Sequence, residues 1–227
     1  MAAREIDPRV SAGLDRQLGV WRDTIARGAD RLGWKIGLNT AEAKEKLGLP
    51  DPVIGFLTSA TRVESGATYP VGEFERALIE PEVAVRLRRP VEAGAQPDEA
   101  LAAIQSLGPA IELVDIPAPP EDVAATMAGN VFHRAVVLGP HREDAAVDGI
   151  EAVVRVNGEE RQTATANVDL AETISLVADL LGGAMELLEA GDTIICGSLT
   201  PPVPVGPRDE VEVDLGPLGT VALTLVE

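Results

Sequence analysis

The chain has little of several things that most often declare a function. Its 227 residues include one cysteine, Cys196, two histidines, and only two Trp, one Tyr and three Phe. A lone cysteine excludes an intrachain disulfide and cannot build a thiolate metal site; in "DTIICG" it reads as an inert core thiol. Cations are also scarce. Nineteen Lys and Arg against 37 Asp and Glu give a formal net charge of −18. That balance excludes nucleic acid and anionic membrane surfaces as partners, since both need clustered Lys and Arg. It leaves room for a small anionic ligand held by one local cation. No apolar run approaches the ~18 residues of a membrane helix, and the opening MAAREIDPR lacks the apolar stretch of a secretory leader. A cytoplasmic protein is the expectation. Phosphate-binding glycine loops are missing too, and "CGSLTPP" lacks the second glycine of a serine nucleophile elbow.

The remaining pattern is strand-rich. Val10, Leu14, Leu18, Trp21 and Ile25 predict an amphipathic helix over 9–31. "GWKIGL" predicts a strand, and "NTAEAKEKLGL" a short helix with a Thr cap and a closing glycine. Residues 50–70 read as turns, 78–88 as a strand, and "QPDEALAAIQSLG" as a helix. "PAIELVDI" reads as a strand, followed by a proline-rich loop at 117–120. Beyond it come strands broken by turns, with an Asn-Gly hairpin in "VNGEE" and one long helix over roughly 168–189. No repeat or linker is visible and βαβ alternation is irregular. This predicts a single α+β domain over 1–227, with 1–31 an N-terminal helical segment.

Chemistry concentrates in "LIEPEVAV". Glu80 and Glu82 share one face of a strand, while Ile79, Pro81, Val83, Val85 and Leu87 form an apolar opposite face. Two like charges side by side need water or a cation. A third acid, Glu112, sits between Ile111 and Leu113 in the next strand, one helix away. Three carboxylates on two apolar strands suit a hard divalent cation, Mg²⁺ or Mn²⁺; a merely solvated face is the alternative. Lys35, between Trp34 and Ile36, is either a snorkelling surface residue or a partly desolvated ammonium that binds an anion or moves a proton. His133 ends a loop and could face a cavity, whereas His141 follows a Gly-Pro turn and is expected at the surface.

Taken together, "GWKIGLNTAEAKEKLGL", "IEPEVAVRL", "AIELVD" and "LEAGDTIICGSLTPPVPVGPRDEVEVDLGPLGTV" resemble the fumarylacetoacetate hydrolase superfamily. The nearest likeness is to the 2-keto-4-pentenoate (2-hydroxypenta-2,4-dienoate) hydratases and the 4-oxalocrotonate decarboxylases. The resemblance implies a mixed β-roll of packed sheets with peripheral helices. It implies Glu80, Glu82 and Glu112 as ligands of one Mg²⁺ or Mn²⁺ and Lys35 as the active-site lysine. Asn130, His133, Arg134 and Ser198 are candidate substrate-binding residues. Pro81 is expected at an edge or an irregular part of the sheet, where its missing N–H does no harm.

The implied activity is a metal-dependent hydratase of a small 2-hydroxy-dienoic or 2-oxo-enoic acid. A decarboxylase of an oxalocrotonate-like acid, a C–C hydrolase of an acylpyruvate and a non-catalytic metal-binding relative are the alternatives. The expected partners are a small anionic 2-oxo acid and further copies of the chain in a homo-oligomer. Two departures stand out. Val53 lies near a position where such hydratases often carry an aspartate, and "AGNVFH" replaces the family's "ADNAS". No counterpart of the hydrolases' acid–base His-Glu pair is evident.

Overall fold

The computed structural model describes residues 4–143 and 145–227. Helix α1 (Pro8–Ala26) starts on the Asp7 side chain, which accepts from the Arg9 amide, with Pro8 in the first turn. It buries Val10, Leu14, Leu18 and Trp21. The helix stops five residues short of expectation: Gly28 at φ 101° breaks it, and Arg31 and Leu32 join a strand instead.

Thirteen strands follow in chain order: β1 (Arg31–Gly37), β2 (Val53–Thr58), β3 (Arg62–Glu64), β4 (Thr68–Pro70), β5 (Ala77–Leu87), β6 (Ile104–Asp115), β7 (His133–Leu138), β8 (Glu151–Val156), β9 (Glu159–Thr165), β10 (Thr193–Ile195), β11 (Val203–Pro204), β12 (Glu210–Asp214) and β13 (Thr220–Val226). One sheet runs β2-β1-β10-β5-β6-β7-β3, with β11 also on β5; a second runs β4-β13-β12-β8-β9. Helices α2 (Ala41–Leu47), α3 (Pro97–Ala102), α4 (Val123–Ala128) and α5 (Leu170–Gly183) lie between strands. This is the expected mixed β-roll with peripheral helices. No described helix is long and apolar enough to cross a membrane.

Several boundaries differ from the sequence expectation, each for a tertiary reason. Residues 53–58, expected as turns, form a fully buried strand beside β1. The helix expected through 108 ends at Ala102, because Leu107 and Ser106 pair with Val85 and Arg86 of β5. Pairing with an apolar strand outweighs a modest helix preference. The long helix covers 170–183 and ends at the Gly182-Gly183 pair. Helix α4, capped by the Asp122 side chain, was not foreseen after the proline-rich loop. The Asn157-Gly158 hairpin is as expected, with φ of 56° and 76°.

Pro81 lies on a central strand, not an edge, yet in an irregular stretch. Its carbonyl accepts from Leu199 and that of Val83 from Cys196, so this side of β5 faces the segment between β10 and β11. A proline there removes no N–H from the β5–β6 ladder. The two faces of the larger sheet are unequal. One packs the main core; the other carries a small cluster of Leu57, Ala84, Ala110, Val136 and Ile195, all fully buried. The charged residues interrupt this second face.

Candidate active site

Strand register brings the three acids together. Glu80 stands directly opposite Glu112 across β5 and β6, and Glu82, two residues on, shares its face. One oxygen from each of the three lies within 4.8 Å of the others. Lys35 arrives from β1, where it pairs with Ile195 of β10, which in turn faces Ala84 of β5. Gly55 lies opposite Lys35 for a steric reason. A Cβ there would come within 2.8 Å of Lys35 Cγ and of Asn130 Oδ1. Gly55, inside the stretch expected as turns, is therefore a groove for the lysine stem.

The cluster is short of positive charge. Lys35, Glu82 and Glu112 are buried, and one lysine faces three carboxyl groups, which could not all ionise without leaving two charges uncompensated. Lys35 Nζ donates to Glu112 Oε1 at 2.6 Å and to the Val131 carbonyl at 3.0 Å. His133 Nδ1 lies 2.8 Å from the same Oε1. Glu82 Oε2 accepts from the Gly197 amide at 2.6 Å. Glu82 Oε1 and Glu112 Oε2, both buried, have no partner among the described residues. Burial first, and then Glu112, push the Glu80 carboxyl up to about 7, against the pull of Lys35. Glu82 is raised well above the usual range by burial and by both neighbouring acids. Glu112 is lowered: burial opposes ionisation, but Lys35 and the His133 bond outweigh it. Orphaned oxygens and uncompensated charge are what a divalent cation with oxygen ligands would relieve, so the donor set fits Mg²⁺ or Mn²⁺.

A cavity of about 310 Å³ opens beside this cluster. Lys35, Glu80 and Ser198 give it polar groups, while Leu38, Ile116 and Phe132 are among its apolar walls. Helix α2 closes one side, with Glu42 and Lys46 exposed at the rim. Ser198 Oγ donates to the Thr200 carbonyl at 2.7 Å. Phe132 enters through an unusual turn: Asn130, Val131 and Phe132 have φ of 54°, 51° and 65° in succession. Left-handed backbone costs roughly 1–2 kcal/mol for each such non-glycine residue, so other contacts must hold it. Asn130 does so with both ends of its amide, accepting from Phe56 N at 2.8 Å and donating to Phe56 O at 3.0 Å. The Lys35 bond to Val131 O adds a third tie.

Not every candidate joins the site. Arg134 points away: its half-exposed side chain reaches Asp115 Oδ2 at 3.3 Å and lies 5.8 Å over the Phe74 ring. Asn130 shapes the turn and spends its polar atoms on Phe56, so it is not a wall of the cavity. His133 is buried against Glu112, not open to the cavity. It forms a His-Glu pair that the sequence did not reveal, though this glutamate is shared with Lys35. His141 is partly buried, with Nδ1 3.1 Å from Ser106 Oγ, and takes no part. Val53 is buried opposite Gly37 and leaves no acid at that position. Thr61, the Gly197 amide and the α2 wall were missed; only the α2 wall had a signal, the predicted helix directly after Lys35.

The family model described as Fumarylacetoacetate (FAA) hydrolase C-terminal matches residues 33–226. A 4-oxalocrotonate decarboxylase of Pseudomonas sp. is 28% identical over 225 residues, covering 95% of this chain and 86% of that one. A 2-hydroxyhexa-2,4-dienoate hydratase of Comamonas testosteroni is 28% identical over 215 residues, covering 89% and 81%. Among solved structures, 4-oxalocrotonate decarboxylase from Pseudomonas putida G7, complexed with magnesium and adipate, matches with a TM-score of 0.85 at 25% identity, covering 92% of this chain and 83% of that one.

Proposed function

This chain belongs to the fumarylacetoacetate hydrolase C-terminal family, and from that premise we propose that it is a divalent-metal-dependent lyase. Its reaction is hydration of a small 2-hydroxy-dienoic or 2-oxo-enoic acid. The observation that carries the reading is the triad of Glu80, Glu82 and Glu112, the last two buried, with two unpartnered oxygens among the described residues and a cavity beside it. These three residues would hold Mg²⁺ or Mn²⁺, which when bound would supply Lewis-acid stabilisation of negative charge developing on the substrate.

The chain's own groups account for the rest. Lys35 Nζ has three N–H donors, two of them engaged by Glu112 and Val131. The third is available to the substrate anion or for proton movement during ketonisation. The apolar walls exclude water from the substrate's tail, which strengthens the charge interactions at its head.

Hydration is preferred to decarboxylation because of the far end of the cavity. An oxalocrotonate-like substrate carries a second carboxylate, and Arg134 is turned away from the cavity. The rim offers Lys46 beside Glu42, a cation whose field is largely cancelled four residues away. A monocarboxylic acid with an apolar unsaturated tail suits such walls better. The decarboxylase reading is kept because the relatives include decarboxylases. A metal-supplemented assay on mono- and dicarboxylic dienols, reading both dienol absorbance and released CO₂, separates the two. Absorbance loss without CO₂, faster on the monocarboxylic acid, supports the hydratase; stoichiometric CO₂ from the dicarboxylic acid overturns it.

A further inference from the structure

We propose that His133 is a positioning residue: it fixes one oxygen of Glu112 so that the other is presented to the metal. The inference rests on the metal reading above and adds to it a residue the reaction does not touch. His133 opens β7, and its side chain is almost wholly buried at 1% exposure. It is not among the residues that wall the cavity, so it acts through its neighbours.

Those neighbours define its role. A carboxylate only accepts, so the 2.8 Å contact with Glu112 Oε1 makes Nδ1 the protonated nitrogen. Nε2 meets Thr61 Oγ1 at 3.0 Å, closer than the 3.3 Å from that hydroxyl to the Thr58 carbonyl. The ring donates to Glu112 through Nδ1, and the contact with Thr61 on its other side fixes its plane. Oε1 then carries two donors, His133 and Lys35, from different strands. With Oε1 pinned from two directions, the carboxylate cannot turn about its last torsion. That leaves Oε2, buried and without a partner among the described residues, as the oxygen free for an ion held together with Glu80 and Glu82. Lysine alone would not do this, because a single ammonium can bond either oxygen. Outer partners of this kind typically change metal affinity 10–100-fold when removed.

The test compares His133→Leu with His133→Asn, whose amide nitrogen stands near the place of Nδ1. Mn²⁺ titration calorimetry of the wild type should show one site. His133→Leu should bind 10–100-fold more weakly, and His133→Asn should recover most of that loss. Thermal unfolding without metal checks that both variants fold; a purely structural role would lower both melting points without splitting their affinities. Ring ¹⁵N shifts of the wild type should show Nδ1 protonated. Equal affinity in His133→Leu and wild type, no recovery in His133→Asn, or an unprotonated Nδ1 each overturns the inference alone. Absence of Mn²⁺ binding to the wild type overturns the metal reading and this inference together.

Discussion

Without metal, one acid of the cluster should cost this protein stability as the pH rises from about 4.5 to 7, opposing His133 and His141, whose lowered values favour the fold as the pH rises over part of the same range. The cause is Glu80, whose carboxyl moves from 4.5 to about 7 on folding. In the unfolded chain it loses its proton near the lower value; in the folded protein it keeps it until the higher one. Below 4.5 both states are protonated and stability is unaffected by this group. Between the two values the unfolded state binds fewer protons, so rising pH favours unfolding; above about 7 the loss is complete. One unit is about 1.4 kcal/mol, so the full shift corresponds to ~3 kcal/mol. Glu80 keeps some solvent contact, which reduces this to ~2 kcal/mol. In a chain of this size that is roughly 4–8 °C in Tm. Glu82 is shifted in the same direction and adds to the effect. Glu112, lowered, works the other way: its contribution is present above the usual carboxylate value and fades as pH falls through its own. Melting curves at pH 5, 6, 7 and 8 in a chelator, and again in Mg²⁺, measure this. Stabilisation by Mg²⁺ should grow across the window, and Glu80→Gln should flatten the metal-free profile. A metal-free profile identical in wild type and Glu80→Gln would refute the reasoning.

Other expectations follow from the same geometry. Metal binding near pH 7 should release protons, since Glu80 and Glu82 must ionise to become ligands; calorimetric enthalpies will then depend on the buffer's ionisation heat. Lys35→Met should keep the fold, because His133 still holds Glu112, while turnover falls at least tenfold, about 1.4 kcal/mol in barrier. Asn130→Ala removes both bonds to Phe56 and an amide suited to positive φ, so Tm should fall by the equivalent of ~2–4 kcal/mol and hydrogen exchange should rise first at 130–132. Arg134→Ala should leave the ratio of kcat/KM for mono- and dicarboxylic substrates unchanged, whereas Phe132→Ala, which enlarges the cavity, should change it.

The acids were legible because strand alternation is a local rule. Glu80 and Glu82 had to share a face, and two strands joined by a small helix had to put Glu112 nearby. Which of His133 and Arg134 would turn inward was not legible. They are neighbours in a strand and must face opposite ways, but the left-handed turn at 130–132 makes the choice and contains no glycine to announce it. The stretch 50–70 read as turns, yet 53–58 is a strand, and the absent side chain of Gly55 in it serves the stem of a lysine twenty residues earlier in the chain. The helix expected through residue 108 failed where β5 claimed residues 104–108 as a partner, a contact that sequence periodicity cannot express.

The central claim is that Glu80, Glu82 and Glu112 together hold one divalent ion beside the cavity. Electron paramagnetic resonance of free Mn²⁺ during a titration counts bound ions directly. The account predicts one Mn²⁺ removed from solution per chain, displaced by excess Mg²⁺, with the site lost in Glu82→Ala. Free Mn²⁺ that rises from the first addition in the wild type, or an equally filled site in Glu82→Ala, would contradict it.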